Sequence, residues 1–435
     1  MSMLNLLLIF GLPVLLLIGV PIYAALGVVG LGAVYLQGTP ILFSAQSVLN
    51  GVDNFPLLAI PAFVLAGKIL EKSGVVQDLL KVFQVTLGNL PGGLGVVTIV
   101  TCMFFAAISG SGPGTVAAVG GLMIPAMLRA GYSPGYAGAV SASGGTLGVL
   151  IPPSNPMIVY AIIANVSVSK LFIAGALPGL LFGIGLAFTA YLTARFREKE
   201  ALKIGREMTG SGVPMSRQLG RALWGAKWGL MMPIIVLGGI YSGLFTPVEA
   251  SIIAVLYSLF VAVIVYRGLS IKSLGEAYSE THLLSGALML IVGVSTLFAR
   301  VITLEQVPQQ LAELIQVIAP NALILLLLIN LLLLFLGAFL ETMAAIIILS
   351  PILVPIVKAY GIDPIHFGII LIINVQIAFL TPPLGVNLFV AANVAKTPVE
   401  KIVRAILPFL LVLLIMLAVA TLVPGLSLWL PELLS

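Results

Sequence analysis

The sequence predicts an all-α polytopic membrane protein, built as an inverted-topology repeat with two re-entrant hairpins and two broken helices. Three observations carry that expectation. Of 435 residues, 60% are hydrophobic and only 8% are charged, against about 25% charged in soluble domains. Two long apolar runs are interrupted by proline pairs, Pro152-Pro153 and Pro382-Pro383. A shift of 230 positions superposes those pairs, and also Pro125 on Pro355, Gly131 on Gly361, Pro134 on Pro364, Gly138 on Gly368 and Leu177-Pro178 on Leu407-Pro408, without a gap.

The proline pairs matter because proline has no backbone N–H. In a continuous helix through 135–164, Pro152 and Pro153 leave the carbonyls of Gly148 and Val149 without donors, and Pro382 and Pro383 do the same to Ala378 and Phe379. A helix in lipid tolerates such carbonyls only where they face protein or a wet cavity, and broken membrane helices use them to hold cations. Each break is therefore a candidate ion site.

In chain order, 3–20 and 21–35 read as two short or tilted spans. Residues 1–19 lack the basic start and small-residue cleavage site of a removed signal peptide. Residues 37–54, without Lys or Arg, are expected as an outer loop; 55–70 return to the cytoplasm and 71–81 form a charged surface helix. The run 94–128 is apolar except at Ser109-Gly-Ser-Gly-Pro-Gly114, and its arms are short, so a re-entrant hairpin is predicted. The first broken helix, a span at 171–193 and a charged loop at 195–227 complete the first half. Spans at 228–241, 248–266 and 281–299 follow, then an interfacial helix at 305–316. A second hairpin at 321–357 turns near Gly337-Ala-Phe-Leu-Glu-Thr342, and the second broken helix, 365–395, precedes a final span at 406–422. The first copy starts outside and ends inside and the second does the reverse, the pattern of alternating-access transporters.

Charge placement orients the chain. Lys68, Lys72, Lys81, Arg129, the cluster 195–227, Arg267, Lys272, Lys396, Lys401 and Arg404 fall on one side, leaving Lys170, Arg300 and Lys358 for the other. The crowded side is cytoplasmic, which puts both termini on the periplasmic side of a bacterial inner membrane. The net charge of +5 thus marks a membrane face and not nucleic-acid binding. One cysteine, Cys102, excludes a disulfide framework, and two separated histidines, His282 and His366, offer almost nothing to haem, iron–sulfur or zinc.

Candidate ligands follow from the breaks. In the first copy the Ser109 and Ser111 hydroxyls face the freed carbonyls near Gly148, Val149 and Ile151, a set of hard oxygens suited to Na+; glycine and serine also permit close helix packing in lipid. In the second copy Gly337, Ala378 and Thr381 supply the equivalent oxygens. Glu341, costing about 2.5–3.5 kcal/mol at membrane depth, binds a cation, carries a proton or caps a half-helix. Ser154, Asn155 and Asn387 sit near half-helix N-termini, which attract the acid groups of a substrate. Asn165 and Asn393 fit interhelical hydrogen bonding equally well, Glu249 reads as a helix-start acid, and Arg300, near the outer face, either meets substrate or snorkels, with snorkelling the preferred reading.

The stretches Asn54-Phe-Pro-Leu-Leu-Ala-Ile-Pro61, Ser109-Gly-Ser-Gly-Pro-Gly114, Pro152-Pro-Ser-Asn155, Gly243-Leu-Phe-Thr-Pro-Val-Glu-Ala250 and Thr381-Pro-Pro-Leu-Gly385 resemble the large membrane subunit of tripartite ATP-independent periplasmic (TRAP) transporters, over nearly the whole chain. The proline breaks alone also resemble divalent anion–sodium symporters. The TRAP resemblance implies an elevator-type, sodium-coupled importer of an organic acid, sialic acid or another sugar acid first and a C4-dicarboxylate second. It implies a periplasmic substrate-binding protein and a small membrane subunit, expected as a separate chain. It places at least two sodium sites, at Ser109, Ser111, Gly148, Ile151 and Pro153 and at Gly337, Ala378, Thr381 and Leu384. It divides the chain into scaffold (1–90, 166–320, 397–435) and transport halves (91–165, 321–396). A stand-alone sodium/dicarboxylate symporter is the alternative. A membrane-embedded enzyme lacks a polar catalytic cluster.

Overall fold

In the computed structural model, which describes residues 4, 7–198 and 215–434, the described residues are helical with no strand. Among the described residues six helices are long and apolar enough to cross a membrane, and up to nine when each sharply bent pair counts as one span. The expected outer loop at 37–54 is instead largely a helix, Ile41–Val52. Pro40 opens it, and it packs against the long helix Ile271–Leu304, continuing with a 55° bend into the 55–73 helices. The charged loop expected at 195–227 also shortens: Met215–Tyr241 is one helix, so its basic residues ride on a helix end, and 199–214 lie outside the described residues. A further helix, Gly425–Leu434, follows the final span.

The repeat is visible in the element boundaries. The first hairpin comprises Gly93–Ser109 and a return arm from Gly112 that ends as Gly121–Arg129; the second comprises Ala322–Gly337 and Thr342–Ala359. Broken helix one is Pro134–Leu150 with Asn155–Ala164, and broken helix two is Pro364–Ala378 with Val386–Ala395. Each begins the same way. Gly131 and Gly361 take positive φ, then Ser133 and Asp363 cap the helix by accepting from Tyr136 and Ile365 N–H, with proline in the first turn. After the breaks the helix starts shift by one residue, Asn155 against Val386 and Val168 against Val399, while Pro178 and Pro408 inside the last pair keep the 230 spacing.

The copies point in opposite directions. Helix Val168–Arg197 provides the ruler. The base of the first hairpin meets its C-terminal end, where Tyr136 OH donates to Ala190 O (2.7 Å) and Ser133 OH to Glu198 (2.6 Å). The base of the second lies at the other end, where Tyr160 OH donates to Pro364 O (2.6 Å). The first half-helices are buried along nearly their whole length, 135–150 and 366–378. Such all-round burial explains why their sequences carry no polar stripe.

Candidate functional site

The first hairpin tip is pressed into the first break. Gly110 takes φ +59, and a side chain there would meet Pro153 O at 3.0 Å. A Cβ on Gly148 would collide with Ser111 O and stand 2.6 Å from Thr115 Oγ1. Only glycine permits this approach. Ser109 Oγ donates to Ser111 O (3.2 Å), and Thr115 Oγ1 donates to Ser111 O (2.8 Å) while lying 3.4 Å from Ser109 Oγ. Ser111 differs from expectation: its hydroxyl caps the return arm by accepting from Gly114 N–H, and its carbonyl is the atom turned to Gly148. Beyond Leu150 the chain is extended at once, with Ile151 at ψ 123. The prolines deny Gly148 and Val149 their donors. Ser109, Ser111, Gly148 and Pro153 thus come together, Ile151 forms the edge of the turn, and Thr115, one helical turn after Ser111, is an oxygen that sequence reasoning missed.

The second break closes differently. After Ala378 the helix tightens instead of unwinding, with Leu380 N–H donating to Ile377 O (3.0 Å) and Thr381 N–H to Ala378 O (2.8 Å). The Ala378 carbonyl expected to be free is therefore engaged, with one lone pair remaining. Thr381 Oγ1 donates to Ile377 O (3.3 Å), which leaves its lone pairs outward. Leu384 N–H reaches Ala338 O (3.3 Å), and a Cβ on Gly337 would stand 2.7 Å from the Ala378 methyl. Gly337, Ala378, Thr381 and Leu384 are thus neighbours. In both copies the donors are neutral hydroxyl and carbonyl oxygens, a set that fits a hard cation such as Na+. Among the described residues no group of three His, Cys, Asp or Glu is placed to hold a metal ion.

Between the two tips and helices Ala59–Ser73 and Ile271–Leu304 lies a cavity of about 480 Å³. Asn155 and Glu341 line it; Ser154 and Asn387 do not. Both of the latter are fully buried, Asn387 donating weakly to Ala142 O (3.4 Å) and Ser154 Oγ having no partner. Glu341 caps the second return arm, accepting from Met343 and Ala344 N–H (2.9 and 3.2 Å). Ser111 and Glu341 are 230 residues apart and do the same job. Neither second half-helix has a side-chain cap, so their N–H groups remain available to an anion. Gln376, missed by sequence reasoning because one amide in an apolar helix gives little signal, lies beside Gly112 with an unpartnered buried Oε1. At the cavity mouth Lys68 pairs with Glu71 and Glu280 (3.3 and 3.0 Å), and Lys72 with Glu276 and Glu280 (3.0 and 3.3 Å).

Other expectations resolve locally. Glu249 forms a capping box with Thr246, as a helix-start acid should. Arg300 is half-buried on a second cavity and donates to Ser47 Oγ (3.3 Å). Asn165 is an exposed helix terminus at φ +54, and Asn393 is exposed.

Two hairpins entering from opposite ends and meeting two broken helices define a polytopic membrane transporter. The same fold occurs in the solved Alcanivorax borkumensis YdaH transporter, at 16% identity, TM-score 0.61 and 98% coverage of both chains. The chain belongs to the TRAP transporter large-permease family: residues 9–426 match the tripartite ATP-independent periplasmic transporter, DctM component. It is 42% identical to an isethionate TRAP transporter permease protein of Oleidesulfovibrio alaskensis, over 92% of this chain but 63% of that longer protein. It is 41% identical to a C4-dicarboxylate TRAP transporter large permease of Pseudomonas aeruginosa, over 91% and 92%. A sialic acid TRAP transporter large permease of Vibrio cholerae is 39% identical, over 92% of each chain. The chain is a multi-pass transporter permease and not an enzyme.

Proposed function

We propose that this chain carries a small organic anion into the cell by sodium-coupled elevator transport, in an inner membrane with both termini periplasmic. The observation that carries the reading is the first site, where Ser109, Ser111, Thr115 and Pro153 present oxygens around a glycine-tight contact. Sodium bound there and at Gly337, Ala378, Thr381 and Leu384 would be coordinated by the carbonyls and pin each hairpin tip to its break. Cation loading would thereby couple to closure of the cavity beside Asn155 and Glu341. Ser154 and Asn387 stand behind it, at the starts of the second half-helices. The hairpins and broken helices (91–165 and 321–396) form the moving body, and the remaining helices form the scaffold.

The isethionate, C4-dicarboxylate and sialic acid of the relatives' names are all anions, which supports the substrate class. Within three percentage points of identity they do not rank one another. Family membership supports a small membrane subunit and a periplasmic binding protein as partners. The test is uptake of radiolabelled sialic acid, succinate and isethionate into proteoliposomes holding this chain and its small subunit, with and without a sodium gradient and the binding protein. Uptake of one anion that needs both is expected. Uptake indifferent to sodium would end the sodium-coupled reading, and uptake without the binding protein would favour a stand-alone symporter.

A further inference from the structure

At the end of the bundle opposite Lys68 lies a cavity of about 680 Å³ that the central site does not use. Its walls come from two bodies. Helices Ile41–Val52 and Ile271–Leu304 supply one wall, with Arg300; the second hairpin's return arm supplies the other, with Lys358. Its lining contains these two cations and no acid. Arg300 is half-buried, its recorded hydrogen bond goes to the neutral Ser47 hydroxyl, and neither cation makes an ion pair among the described residues. The neighbouring acids are off the lining: Glu305 accepts from Gln37, Asp53 is exposed, and Asp363, five residues after Lys358, caps its own helix by accepting from Ile365 N–H. Ser350, also on the wall, is fully buried with an unpartnered hydroxyl.

Two cations with no acid beside them on the lining, Arg300 half-buried and Lys358 exposed, make a standing positive potential, and such clefts concentrate anions. The volume suits a small organic molecule. An Arg fork recognises a planar carboxylate or a sulfonate by two parallel hydrogen bonds, while Lys acts as a mobile point charge. We propose that this cavity is a reception site for small carboxylate or sulfonate anions, held between Arg300 and Lys358 before they reach the central cavity. It rests on the anion-import reading for its direction, although its charge does not depend on sodium coupling. Because the cations stand on different bodies, an anion between them would also tie those bodies together. Its departure would then release the hairpin arm.

The test uses the full chain in proteoliposomes, with Cys102→Ala removing the single, buried native thiol and Ala299→Cys placing one on the cavity wall. Rates of modification by an anionic sulfonatoethyl and a cationic trimethylammonium-ethyl methanethiosulfonate are compared. Adding Arg300→Gln and Lys358→Gln is expected to lower the anionic-to-cationic ratio by about tenfold, while Arg300→Lys keeps it. Millimolar succinate, sialic acid or isethionate is expected to slow the anionic reagent. A ratio unchanged by the double substitution overturns the proposal. So does insensitivity to all three anions, and shielding by the binding protein alone would then assign the cations to protein docking. The thiol reaction needs neither sodium nor transport, so loss of sodium coupling would leave this result standing.

Discussion

The two breaks share a sequence device and part company in three dimensions. Pro152 and Pro153 are buried, with Ser154 Oγ and Asn155 Oδ1 unpartnered behind them; Pro382, Pro383 and Leu384 are exposed. The first helix unwinds at once into extended chain, whereas the second folds its last carbonyls into a tight turn. Gly148 admits the first hairpin tip against bare backbone. Ala378, at the same repeat position, fills that space with a methyl and leaves the gap to Gly337. The lesson is that a proline pair creates unpaired carbonyls, but the cover over them decides whether they are held ready or satisfied locally. An inverted repeat caught in one conformation must be unequal in this way, since equal halves would face both sides of the membrane alike.

That inequality can be broken or sharpened by substitution. The largest effect is expected for Gly148→Ala, whose methyl meets the Ser111 backbone. Overpacking there is expected to lower sodium-dependent uptake by up to about 100-fold, from a cost of about 1–3 kcal/mol. Leu384→Ala should change uptake less than about threefold, since its side chain is exposed and only its backbone engages the tip. Equal losses in properly folded protein would make the breaks equivalent after all.

Next comes Thr115→Ala, expected to weaken apparent sodium affinity by about tenfold, the worth of about 1.4 kcal/mol. Thr115→Ser should retain wild-type affinity, which the sodium dependence of initial uptake rates reads directly. Thr381→Ala is expected to cost less, about threefold, because the neighbouring carbonyls are already partly engaged by backbone donors. An effect larger than that of Thr115→Ala would reverse the order of the two sites. The smallest change belongs to Glu341. Glu341→Gln retains an acceptor for Met343 and Ala344 N–H, whereas Glu341→Ala removes the cap and should cost about 1 kcal/mol, seen as a lower thermal midpoint. If Glu341→Gln instead abolished uptake with stability intact, the carboxylate would be a ligand or proton carrier.

Much of this was legible beforehand. Hairpin arms, breaks and the 230-residue shift were readable because glycine, proline and apolar length act through the backbone, whatever surrounds them. The helix at Ile41–Val52 escaped because Ser44, Gln46, Ser47 and Asn50 break the apolar run, although Asn50 lines the cavity and Ser47 accepts from Arg300 beside it. Arg300 looked like a snorkelling cation because sequence gives a depth and not a neighbour; Ser47, 253 positions away, settles its hydrogen bond.

The sequence by itself determined the membrane class, the repeat and the places where helices must stop, since each follows from a missing N–H, a missing Cβ or a hydrophobic length. Only the tertiary structure decided which freed carbonyls remain free and which hydroxyls turn toward them. It also decided that Thr115 joins the first site and that Ser154 and Asn387 stand behind the cavity. Those outcomes depend on packing between segments up to 245 residues apart, as between Asn387 and Ala142. Distances of that kind are fixed by the close packing of side chains from different helices.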